Sequence, residues 1–226
     1  KLLKIAKPIL FNTEMVQAIL EGRKTVTRRV LAEKEVLDKK WGLDEEPYKH
    51  NWKWYFERQT AVDDSRRHEL KSRYQVGDTL YVRETFCEVP YEYEHIPMKN
   101  GHITVPKIAY RADSEIDYTG IWKPSIHMPK ELARIFLKVT DVRVERLQDI
   151  TEEQAIKEGV GNLFIDHIAY SGEEKYNAPS KRETLAIEQF ELLWNSTIKK
   201  QDLDRYGWEA NPWVWVIEFE RAEEEQ

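Results

Sequence analysis

From Ile5 to Phe11 the chain is apolar except at Lys7, which predicts a strand. Pro8 puts that strand at a sheet edge, because proline cannot donate to an interior ladder. The period then lengthens. Met15, Val16, Ile19 and Leu20 recur at helical spacing, predicting a helix from Glu14 to about Glu21 with Asn12 or Thr13 as its cap. Gly22 is a natural stop. Thr25 to Leu31 is β-branched and basic and reads as a strand, while residues 33 to 75 are polar with scattered aromatics and read as a long, partly helical insertion. Gly77-Asp78 turns into a strand over Thr79 to Phe86, residues 88 to 104 read as a loop, and Lys107 to Arg111 reads as another strand. Trp122 to Pro129 is bracketed by prolines at 124 and 129 and reads as irregular.

Ile135 to Leu147 carries the longest alternation and is read as the longest strand. Thr151-Glu-Glu-Gln154 has capping-box form, with Gly159 ending the short helix that follows. Ser180-Lys-Arg-Glu183 repeats that form ahead of a helix whose Ile187, Phe190 and Trp194 make a core stripe. Residues 160 to 179 read as a second insertion. In the last strand, Trp213 to Glu220, alternation puts Trp213, Trp215, Ile217 and Phe219 on one face. About six strands with few helices predict an α+β chain built on a small barrel, in one domain spanning residues 1–226.

Composition narrows the classes. The length of 226 residues can bury a core without disulfides or metal staples. The single cysteine, Cys87, allows no internal disulfide and favours a reducing compartment. No apolar run approaches a membrane span and no signal-peptide pattern is present, so a soluble, cytoplasmic protein without membrane contact is expected. A net charge of -6 argues against a general nucleic-acid coat protein but leaves room for a local basic pocket.

Such a pocket has a candidate. Gly22 to Arg29, GRKTVTRR, gathers Arg23, Lys24, Arg28 and Arg29 beside Thr25 and Thr27. A lysine becomes a base when burial or a neighbouring cation lowers its pKa, and a threonine hydroxyl needs such a base to act as a nucleophile. Lys24 and Thr27 would make that pair. On a regular strand residues three apart face opposite sides, so the pair meets only if Lys24 lies at the bend that Gly22 permits. A basic edge strand solvated by its own cations accounts for the same residues. Ser125 and His127 sit two apart on a stretch read as extended and would point the same way, fitting local hydrogen bonding or a nucleophile and base. His95 and His102 have no Cys or carboxylate at ligand spacing, so no metal site is expected, and Cys87 reads as an inert buried thiol.

The stretch ILxGRKTxTxR, after a strand and short helix, resembles the start of an ASCH domain, a fold similar to the PUA domain of RNA-binding proteins. Residues 77 to 85 (GDTLYVRET), 110 to 113 (YRAD), 122 to 129 (WKPSIHMP), 139 to 155 and 206 to 216 (YGWEANPWVWV) resemble the larger ASCH proteins of phages and prophages. The resemblance runs from about residue 8 to 221, with gaps at the two insertions. It implies a PUA-like β-barrel with a cleft beside the first helix, binding RNA, nucleotides or modified nucleosides. One small ASCH branch comprises amidohydrolases that deacetylate N4-acetylcytidine with lysine, threonine and glutamate and no cofactor. That pattern maps onto Lys24, Thr27 and Glu158. Glu158 closes a short helix, where the helix dipole disfavours a carboxylate anion and suits a general acid or proton shuttle.

Two functions follow from the resemblance. In the first, Thr27 attacks an acyl carbonyl, Lys24 takes its proton, Glu158 serves the leaving amine, and Arg29 or Arg28 holds the oxyanion or a phosphate. In the second, the same cleft only binds single-stranded RNA or a modified base, with Tyr110 or Trp122 stacking on it. Arg83, Glu84, Arg111 and Asp113 are read as strand residues able to meet base edges or merely to pair as surface salt bridges, the commoner case, and Ser125 and His127 join the substrate-binding set.

Overall fold

The computed structural model describes residues 6–31, 47–50, 53–57, 67–89, 95–98, 101–104, 107–113, 121–160 and 184–222. The capping box at Ser180 and most of both insertions lie outside these residues. The elements in chain order are β1 (Lys7–Leu10), α1 (Thr13–Leu20), β2 (Val26–Val30), β3 (Tyr48–His50), β4 (Lys53–Glu57) and β5 (Arg67–Leu70). Then come β6 (Thr79–Arg83), β7 (Phe86–Glu88), β8 (His95–Met98), β9 (Gly101–Thr104), β10 (Ile108–Tyr110) and β11 (Phe136–Arg146). The chain ends with α2 (Glu152–Lys157), α3 (Thr184–Thr197), α4 (Leu203–Tyr206) and β12 (Trp213–Arg221). The fold is α+β. Five strands form a mixed sheet in the order β1-β6-β11-β12-β2, and among the described residues no pairing joins its two edges.

Contacts divide the chain into two compact units. The first comprises Lys1–Lys24, Gly77–Val139 and Glu220–Gln226. Here β1 pairs in parallel with β6 and occupies the sheet edge that Pro8 foretold. Asn12 is the residue that caps α1, its Oδ1 accepting from the Met15 N–H at 2.9 Å. Gly22 ends the helix with φ +74°, and both Arg23 and Lys24 donate their N–H groups back to the Ala18 carbonyl. The strand expected over Thr79 to Phe86 stops at Arg83. Glu84 leaves the ladder, its N–H meeting the Met128 sulfur at 3.1 Å, and β7 starts a separate pair with β10. The expected loop at 88 to 104 contains a hairpin, β8 with β9. Ile9, Val16, Leu80, Val82, Met128 and Leu137 are among this unit's buried residues.

The second unit comprises Thr25–Val76 and Thr140–Phe219. β2 pairs antiparallel with β12, Thr27 opposite Ile217 and Arg28 opposite Val216. A core of Val26, Leu147, Ile150, Ala155, Phe190, Trp194, Val214 and Val216 lies on one face of that pair, each such burial contributing about 1.5–3 kcal/mol for the larger side chains. Val214 and Val216 are as buried as Trp215 and Ile217, so β12 is covered on both faces. The described part of residues 33 to 75 contains no helix. It holds three antiparallel strands, β3-β4-β5, as the aromatic-rich Lys53–Glu57 run favours.

Candidate functional site

β2 is the edge strand opposite β1 in the five-stranded order, and it carries the last part of the basic motif. Its edge is met by the end of α2, where the Thr25 N–H donates to the Lys157 carbonyl at 2.9 Å. The next residue, Glu158, is the C-cap of α2 and is 3 % exposed. Gln154 and Glu158 stand four apart and so share a helix face. Both meet one side chain. Arg28 Nη1 donates to Glu158 Oε1 at 3.1 Å and Arg28 Nη2 donates to Gln154 Oε1 at 2.8 Å.

The Arg28 guanidinium has no exposed surface and lies 5.7 Å over the Phe190 ring. Its Nη2 also reaches Glu145 Oε2 at 3.4 Å. Glu145 is shared with Arg143, which in turn bonds Asp141 and Glu218. Desolvation alone would lower the Arg143 guanidinium, but its bonds to Glu145, Glu218 and Asp141 outweigh this and raise it. Arg28 Nε is buried and has no hydrogen-bond partner among the described residues.

Alternation along β2 sends Thr27 and Arg29 to the face opposite Arg28. Burial pushes the Arg29 guanidinium below its ordinary value, while Tyr74 and Glu158 pull it back. Glu158 thus bonds Arg28 directly and attracts Arg29 through its charge. The sequence marked Glu158 as a lone carboxylate at a helix end. In the folded chain it is held by a guanidinium. Thr27 is 1 % exposed and Lys24 is 2 % exposed, with the Lys24 ammonium 5.6 Å from the centre of the Phe11 ring. Arg23, next to Lys24 in the chain, is paired with Glu21 at 2.6 Å.

The remaining expected ligand-binding residues belong to the first unit. Glu84 is 1 % exposed, and both its oxygens accept from Arg134 at 2.9 Å. Arg134 also pairs with Asp113 and stacks 4.0 Å from the centre of the Tyr110 ring. Tyr110 donates its hydroxyl to the Leu132 carbonyl at 2.7 Å. Burial raises the Tyr110 phenol above its ordinary value, against Arg134 and with Glu84 and Asp113. Arg83 donates to the Met128 carbonyl at 2.8 Å and to that of Ile126, pinning the turn that contains Ser125 and His127.

That turn is a 3-10 helix, not an extended chain, which removes the alternation that aligned Ser125 with His127. Arg111 and Asp113 likewise lie in a 3-10 turn rather than on a strand. Arg111 stacks 5.0 Å from the centre of the Trp122 ring. Among the described residues no cluster of His, Cys, Asp and Glu could hold a metal ion, and no helix is long and apolar enough to cross a membrane.

Comparison with models of known protein families, with curated proteins and with solved structures finds no significant match.

Sequence reasoning missed Arg134, Glu145 and Arg143, and took Gln154 only for a capping residue. The i, i+4 spacing of Gln154 and Glu158 was the available signal for a shared partner. Arg134 had none, since its partners come from distant stretches of chain.

Proposed function

We propose that the protein is an ASCH-type, nucleoside-directed amidohydrolase that removes the acyl group from an N4-acylated cytidine. The five-stranded sheet is assigned on this reading to the strands of a PUA-like barrel. The supporting observation is burial. Only six polar or charged side chains are buried among the described residues, and Lys24, Thr27 and Glu158 are three of them. A solvated edge strand would leave such groups in water. Burying them is costly, and active sites are where such costs recur.

Thr27 Oγ attacks the acyl carbon while Lys24 accepts the hydroxyl proton. Arg29, which leaves β2 on the same face as Thr27, stabilises the oxyanion. Collapse breaks the C–N bond, and the amine departs with a proton delivered through Glu158. Water then cleaves the threonyl ester, releasing the free carboxylic acid and restoring the hydroxyl. The test is turnover of N4-acetylcytidine by the purified protein. Release of cytidine and acetate is expected, with kcat reduced about a thousandfold in Lys24→Ala. A wild type without turnover contradicts the reading.

A second reading has its own observation. Glu158 is tied to Arg28 at 3.1 Å, a use of the carboxylate that needs no proton transfer. On that reading the protein binds a modified nucleoside, a nucleotide or single-stranded RNA without cleaving it. Saturable binding of N4-acetylcytidine without turnover would select it.

A further inference from the structure

We infer that Arg28, which falls at an open position of the GRKTxTxR pattern, is a positioning residue that fixes Glu158 rather than a residue that touches the ligand. The inference rests on the hydrolase reading for what Glu158 does, but not for the contact itself. Arg28 leaves β2 on the face opposite Thr27 and Arg29, so it does not point where the nucleophile points. Its guanidinium is wholly buried and its two terminal nitrogens are committed to Glu158, Gln154 and Glu145. No terminal amino group faces solvent to receive a substrate.

The same contacts explain why Glu158 is fixed. A carboxylate 3 % exposed cannot turn toward water, so it stays where a cation compensates it. Gln154 Oε1 accepts from Arg28 and also from the Thr151 N–H at 3.2 Å, so the guanidinium is referenced to the capped start of α2 as well as to its end. Glu145, Arg143 and Glu218 extend the linkage to β11 and β12. Phe190 closes one side of the guanidinium. A planar fork meets these acceptors together, which an ammonium on a flexible stem does not.

The test is a double-substitution cycle read in two ways. In turnover of N4-acetylcytidine, Arg28→Lys is expected to lower kcat about a hundredfold with KM nearly unchanged. In a Glu158→Gln background the same substitution should cost little more, because it acts through Glu158. Losses that multiply in the double variant, or a raised KM with unchanged kcat, would overturn the inference. The second reading is denaturant unfolding, independent of activity. Arg28→Met should lower the midpoint strongly, and Arg28→Met with Glu158→Leu should recover most of the loss. Additive midpoints would overturn the pairing whatever the turnover. A wild type without turnover sinks the hydrolase reading and Arg28's part in catalysis with it, while the unfolding cycle still decides whether Arg28 holds Glu158.

Discussion

Tyr110 shows what a single side chain reports here. Its ring lies under the Arg134 guanidinium and its hydroxyl donates to the Leu132 carbonyl. Burial raises its phenol above the ordinary value of 10.0. The unfolded chain therefore gives up that proton first as pH rises. The stability this group contributes is complete below pH 10.0 and is lost as pH climbs toward the folded value. Tyr110→Phe should flatten the alkaline fall in stability and cost about 1 kcal/mol at neutral pH through the lost hydrogen bond. Urea midpoints at neutral and alkaline pH check both, and an unchanged alkaline slope would contradict the assignment. The sequence singled out Tyr110, Glu84 and Asp113, yet their common partner Arg134 was invisible. It stands 50 residues from Glu84, and no local period encodes that meeting.

At the scale of elements, the local rules were legible where the chain carried its own signal. The box at Thr151 forms with both hydrogen bonds in place. Thr151→Ala should cost about 1 kcal/mol of stability by removing the cap, measured by chemical denaturation; no change would mean the cap is redundant with Arg28's hold on Gln154. Gly22 ends α1 with φ +74°, and a Cβ placed there meets nothing within 4 Å. Gly22→Ala should therefore cost about 1 kcal/mol from backbone strain alone. A loss several times larger would show that the bend is held by more than conformation. The signals failed where pattern and structure part. The prolines and charges around β8 and β9 mask their strand signal. In β11 the buried positions change parity, from Leu137 and Val139 to Val142 and Val144, which a single alternation along the strand does not describe.

For the whole molecule, the acidic total of -6 and the basic motif are compatible because carboxylates from elsewhere in the chain meet part of the motif's charge, one of them in a buried pair. Arg28 meets a carboxylate 130 residues away, Arg23 meets Glu21, and Arg29 is drawn on by Glu158. Mixed α+β organisation was readable from the run of periods; the pairing order was not, since it depends on contacts between distant strands. The hydrolase proposal depends on Thr27 of GRKTVTRR as the nucleophile. Its most direct test is peptide mass analysis of protein quenched during turnover of N4-acetylcytidine. One acetyl group is expected on the peptide containing Thr27, kept in Thr27→Ser and absent in Thr27→Val. Cytidine released while that peptide stays unmodified at every quench time, with Thr27→Val as active as wild type, would contradict it.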